Sequence, residues 1–146
     1  SMRRNNGFFT AFKITGSGLA AQRKKMDVIT GNIANASTTS TPEGGPYKRK
    51  VISFAADPLK TGFDRQLKDA VNAVKVGQVA EATDDFKKVF DPSHPDADAD
   101  GFVTMPNVNL MLEMTELITA SRAYEANATA FDAIKNMALK AIDIGK

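Results

Sequence analysis

The run Asp96-x-Asp98-x-Asp100-Gly101-x-Val103 places carboxylates at alternate positions before a glycine, the opening of a calcium-binding EF-hand loop. The chemistry such a loop would support is oxygen ligation of a hard divalent cation. The pattern breaks at its closing end: the twelfth position, where a bidentate glutamate completes the cage, is Asn107, and Pro106 precedes it. Pro92 and Pro95 also block the helix that normally leads into the loop. The expected structure is therefore a turn with incidental carboxylates, with no metal site and no bound cofactor.

Other reactive side chains are sparse. There is no cysteine and one histidine, His94, which removes thiol chemistry, zinc clusters and Ser-His or Cys-His nucleophilic catalysis. His94 lies between Ser93 and Pro95 and reads as an exposed loop residue, and the pair Asp84-Asp85 reads as a solvated face. The sequons at Asn35 and Asn127 read as chance matches. No enzyme constellation emerges, so catalytic residues are not expected.

The charge balance is +2 overall, but residues 2–36 carry six Lys/Arg against one acid and residues 37–106 carry nine against eleven. The clusters Arg23-Lys24-Lys25 and Lys48-Arg49-Lys50 lack interleaved aromatic side chains and read as solvated faces rather than as a nucleic-acid surface. No apolar run approaches the roughly 20 residues a membrane span needs, so direct membrane insertion is not expected. The stretch after Arg3-Arg4 is interrupted by polar residues, so no cleaved signal peptide is expected either.

The remaining information lies in the elements. Phe8, Phe12, Leu19, Met26, Ile29 and Ile33 recur at three-, four- and seven-residue intervals, a helical stripe with heptad character. Gly16 and Gly18 weaken that helix by roughly 1 kcal/mol each relative to alanine, so its order must come from packing against a partner. Asn32, Asn35 and the Ser/Thr run up to Pro42 end it. After the turn signal Pro42-Glu43-Gly44-Gly45-Pro46 the period changes, and strands are expected at 47–54, 73–79, 86–90 and 101–105, forming one small antiparallel sheet, with a short amphipathic helix over 59–74. A last helix is expected from an Asn107 cap, with Leu110, Leu117, Tyr124, Phe131 and Ala138 in strict sevens. Met26, Met111, Met114 and Met137 read as core filling on these helices.

These segments predict an α+β architecture: long N- and C-terminal helices that pair as a coiled coil, with a small β-rich domain inserted between them. The expected divisions are 1–41 for the first helix and its polar linker, 42–106 for the inserted domain and 107–146 for the last helix. A terminal helix of about 38 residues would span on the order of 57 Å, more than the core of a chain this size requires, and the surplus implies partners. Uncovered seams would also lead isolated chains to pair with each other as a homo-oligomer.

Three stretches resemble the bacterial flagellar rod and hook family, and within it the proximal-rod subunits. They are Gly18-Leu19-Ala20-Ala21-Gln22 through Met26 to Ala36 with its Asn32-Ile33-Ala34-Asn35 element, then Gly45-Pro46-Tyr47-Lys48-Arg49, and finally Pro95 to Asn109 followed by Ala120-Ser121-Arg122-Ala123-Tyr124-Glu125-Ala126-Asn127. The resemblance implies a structural subunit that polymerises through its terminal helices in the periplasmic rod of the basal body and transmits torque along the axial drive shaft. It implies export by the flagellar type III apparatus, with other rod subunits and the basal-body junction protein as partners. By the same resemblance, the assembly surface would include Leu19, Met26, Asn32, Ile33 and Asn35 on the first helix. On the last helix it would include Leu117, Tyr124, Asn127, Phe131 and Ile134. The competing readings are another subunit of the rod and hook family, since the terminal signatures are shared, and a calcium-binding module built on Asp96–Asp100.

Overall fold

The computed structural model describes residues 2–53 and 77–145. Helix α1 runs over Met2–Ala34 and helix α2 over Leu110–Ile144, with four short strands between them: β1 at Lys50–Ser53, β2 at Gln78–Glu81, β3 at Lys87–Phe90 and β4 at Phe102–Met105. This is the expected α+β arrangement of two terminal helices and a small β region, and all four observed strands overlap the expected ones. The strands form two two-stranded sheets, β1 with β2 and β3 with β4, rather than one sheet. The amphipathic helix expected over 59–74 lies outside the described residues, as does the first part of the strand expected at 73–79. The chain divides into two compact units, which are taken in turn.

The described part of the first unit comprises residues 2–25, 77–78 and 119–145. Here α1 and α2 pack through Phe12 and Phe131, whose rings meet edge to face at 5.1 Å between centroids. Ala21 and Ala120 are buried, so small side chains allow close approach of the helices. The glycine weakness in α1 has a packing reason at one of its two positions. A Cβ on Gly18 would lie 3.1 Å from Asn127 Oδ1, whereas one on Gly16 would meet nothing within 4 Å. Lys24 Nζ donates to the carbonyl of Gly77.

The second unit comprises Met26–Ser53 and Val79–Ile118. Asn32, expected among the residues that end α1, lies inside it, and the end is closed by Asn35, whose Nδ2 donates to Gly31 O at 2.9 Å and whose Oδ1 accepts from Thr38 Oγ1. The chain then reverses through a turn at Gly44 and Gly45, both at positive φ, where side chains are strained. Tyr47 N donates back to Thr38 O at 3.0 Å. Strands β3 and β4 pair antiparallel, with Val89 opposite Val103 and Phe90 opposite Phe102, and Val103 is fully buried.

The aspartate run forms the turn of that hairpin. Asp98 Oδ1 accepts from the backbone N–H of Asp100 and of Phe102, at 3.0 and 2.9 Å, while Asp96 Oδ2 accepts from Thr39 Oγ1. Gly101 sits at φ +85°. Its missing side chain leaves room for Phe90, whose ring would be 2.9 Å from a Cβ there. His94, read as an exposed loop residue, is half-buried in this turn, where its Nδ1 accepts from Asp96 N at 3.0 Å. Among the described residues, no group of three His, Cys, Asp or Glu side chains is arranged to hold a metal ion.

The cap of α2 differs from the expected one. Asn109 holds that position: its Oδ1 accepts from Leu112 N at 3.2 Å and its carbonyl from Glu113 N at 2.9 Å. Asn107 is instead buried, and its side chain bonds backbone groups of Arg49, Ala82 and Asp84. From Leu110 on, α2 runs 35 residues, on the order of 52 Å.

Candidate functional site

The most constrained chemistry in the second unit is a polar cluster on the apolar interior, assembled from α1, the segment around β1 and the start of α2. Asn32 and Glu113 are each 1% exposed, so every polar atom they carry needs a partner. Asn32 supplies both halves of its amide to one backbone residue: Nδ2 donates to Lys50 O at 2.8 Å and Oδ1 accepts from Lys50 N at 2.9 Å. Oδ1 also accepts from the Tyr47 hydroxyl at 2.8 Å, and Nδ2 reaches Glu113 Oε2 at 3.2 Å. One side chain of α1 thereby takes the place of a neighbouring strand for Lys50.

Glu113 Oε1 accepts from Arg49 Nε at 2.5 Å. The guanidinium lies further off from Asp84 and Glu116, at 3.6 and 3.8 Å. This hydrogen bond, together with the three carboxylates, holds the Arg49 pKa above its ordinary value, although burial pulls the other way. Burial first, and then the charge of Glu113, raises the pKa of Tyr47. Asn107 completes the cluster: Oδ1 accepts from Arg49 N at 2.7 Å, and Nδ2 donates to the carbonyl of Asp84 at 3.0 Å.

Two sequence readings change here. Lys48-Arg49-Lys50 is not uniformly a solvated face: Lys48 and Lys50 are exposed, but extended backbone alternates its side chains, and Arg49 turns in. Asp84, read as part of a solvated pair, is exposed but approaches that arginine. Glu113 and Arg49 were not among the expected site residues. The available signal was a lone acid inside Leu110-Met111-Leu112-Glu113-Met114, which helical periodicity alone reads as an interruption.

The residues expected at an assembly surface separate into groups. In the second unit, Asn32 is buried in the polar cluster and Asn35 closes α1, while Met26, Ile33 and Leu117 are half-buried. In the first unit, Phe131 is engaged with Phe12, and Asn127 lies against Gly18. Leu19 and Tyr124 are half-buried there. Ile134 lines an open apolar groove of about 510 Å³ with Gly7, Phe8, Ala11, Met137 and Ala141. The methionines expected as core filling are largely outside: Met111 is 74% exposed, and Met114 and Met137 are exposed as well. Only Met26 of that group is half-buried.

These helical ends carry the similarity to known proteins. Residues 12–40 match the family described as flagella basal body rod protein, and residues 99–144 match the C-terminal region of the flagellar basal body rod FlgEFG proteins. Both matches define the class of flagellar axial rod proteins. The chain is 40% identical over 147 residues to the flagellar basal-body rod protein FlgC of Bacillus subtilis, covering 94% of this chain and 98% of that protein. It is 41% identical to FlgC of Borreliella burgdorferi, over 94% and 97% of the two chains, and 39% identical to FlgC of Salmonella typhimurium, over 92% and 96%. The chain belongs to the FlgC family of flagellar basal-body rod proteins.

Proposed function

We propose that this chain is a structural, non-enzymatic subunit of the flagellar basal-body rod, joining it through its terminal helices and passing torque along the axis. The observation that carries this reading is the identity of about 40% over nearly the whole chain to FlgC proteins. The form of the molecule agrees with it: α2 is hydrophobic beyond what one partner helix covers, with Leu110, Met111, Met114, Ile118, Leu139, Ile142 and Ile144 all exposed. The partners follow as other rod subunits, the basal-body junction protein and the flagellar type III export apparatus, with the subunit residing in the periplasmic rod. The divisions 1–41, 42–106 and 107–146 are the corresponding functional segments. The expected surface residues on the two helices would act partly by holding the subunit together, as Phe131 does with Phe12.

The test is complementation. In a bacterium whose own proximal-rod subunit has been removed, the chain is expected to restore swimming and to co-purify with detergent-extracted basal bodies. Its absence from intact, purified basal bodies would overturn the reading.

A further inference from the structure

We propose that the opening turns of α2 form a docking surface of Leu110, Met111, Met114 and Ile118, aimed outward by the Arg49–Glu113 pair, for an apolar terminal-helix face of a neighbouring rod-family subunit. The inference rests on the rod reading and goes beyond it by naming the surface and the groups that orient it.

The supporting observation is an inverted polarity. Across residues 110–118 the side chain fully withdrawn from water is the charged Glu113, while Met111 is 74% and Ile118 57% exposed. A helix folding for its own chain alone turns its apolar stripe inward and its carboxylates outward. At about 100° per residue, Leu110, Met114, Ile118 and Met111 fall within an arc of roughly 100°, and Glu113 lies off that arc. Rotating the helix to bury the four would pull Glu113 from Arg49 and from Asn32, so the polar cluster fixes which face looks out.

Patch size and chemistry decide the occupant. Four side chains of this kind, between 44% and 74% exposed, leave on the order of 300–400 Å² of apolar surface, the scale at which patches mark interaction sites. That is well below the roughly 800 Å² per partner of a stable pair, so the patch does not dimerise the free chain by itself and needs a neighbour held by further contacts, as in a polymer. The two family matches fall on the terminal helices, so a related subunit presents a helix of the same kind. Two methionines adapt to neighbours that are not identical.

The chain lacks cysteine, so Met111→Cys supplies a single reporter thiol. In the free full-length chain it is expected to react with N-ethylmaleimide as an exposed thiol at all micromolar concentrations. In purified basal bodies it is expected to react at least tenfold more slowly. Ile118→Asp is expected to leave the urea midpoint of the isolated chain unchanged and to abolish entry into rods. The double variant Arg49→Met/Glu113→Met, which removes the pair without stranding a charge, is expected to keep a stable chain but slow labelling of Met111→Cys, because the helix is released to turn inward.

Undiminished labelling in rods, or rods built from Ile118→Asp, would overturn the docking surface while leaving the rod reading intact. Protection already present in the free chain and rising with concentration would mark a self-association site and overturn the assignment to a neighbouring rod subunit. Failure of the unmodified chain to enter rods would overturn both readings.

Discussion

Arg49 donates from Nε to Oε1 of Glu113 at 2.5 Å, and the acceptor carboxylate is 1% exposed. A buried pair of this kind gains little net stability over a well-packed apolar pair, but removal of one member strands the other. Arg49→Met is therefore expected to destabilise by about 3–5 kcal/mol. Arg49→Met/Glu113→Leu is expected to recover most of that loss, with urea denaturation of the four species of the cycle as the measurement.

Asn32 is the second fixed point. Asn32→Ala removes the partners of both Lys50 backbone groups, with an expected loss of about 2–4 kcal/mol. Asn32→Asp is expected to be worse, because it sets a second carboxylate against Glu113 and cannot donate to Lys50 O. Hydrogen exchange at the Lys50 amide checks both variants, since that amide donates to the Asn32 side chain.

Gly16 and Gly18 of α1 separate in thermal denaturation. Gly16→Ala is expected to stabilise by about 0.5–1 kcal/mol, since nothing stands within 4 Å of the new methyl group. Gly18→Ala is expected to gain less, because Asn127 must move aside from a 3.1 Å approach. Equal shifts in Tm for the two variants would contradict the close approach of the helices there.

Tyr47 sets an alkaline limit. Its pKa is raised in the folded chain, first by burial and then by Glu113, so above pH of about 10 the unfolded chain loses the phenolic proton first. Stability is thus fully present below that pH and falls as pH rises through the folded value. Tyr47→Phe is expected to flatten the fall that begins above pH of about 10, in chemical denaturation at fixed pH, while losing the hydrogen bond to Asn32 at neutral pH.

Gly101→Ala is expected to destabilise the β3–β4 hairpin by about 1–2 kcal/mol, the cost of holding a side-chain-bearing residue at φ +85°. The adjoining Phe90 is exposed and can shift, so backbone strain rather than the 2.9 Å approach sets the size. Loss of amide protection confined to residues 87–105 would mark the effect as local.

Much of the architecture was written in periodicity. The stripe from Phe8 to Ile33, the sevens from Leu110 to Ala138 and the change to short extended runs after Gly45 specify two terminal helices and a β region, because each period of side-chain burial fits one backbone geometry. The signatures around Asn32 and Tyr124 were equally legible, since they depend on residue identity alone. Tertiary structure decided which way those helices face. Periodicity places Leu117 and Phe131 on one stripe but does not say what covers it, and Phe131 meets Phe12 of the same chain. It likewise reads Glu113 as a solvent-facing interruption and Arg49 as one of three surface cations. Only the fold brings residues 32, 49, 107 and 113 together, and a buried charge is tolerated solely where distant donors converge on it. For that reason the sequence determined the elements and the family, while long-range packing determined the polar cluster and, with it, the apolar surface left open to a partner.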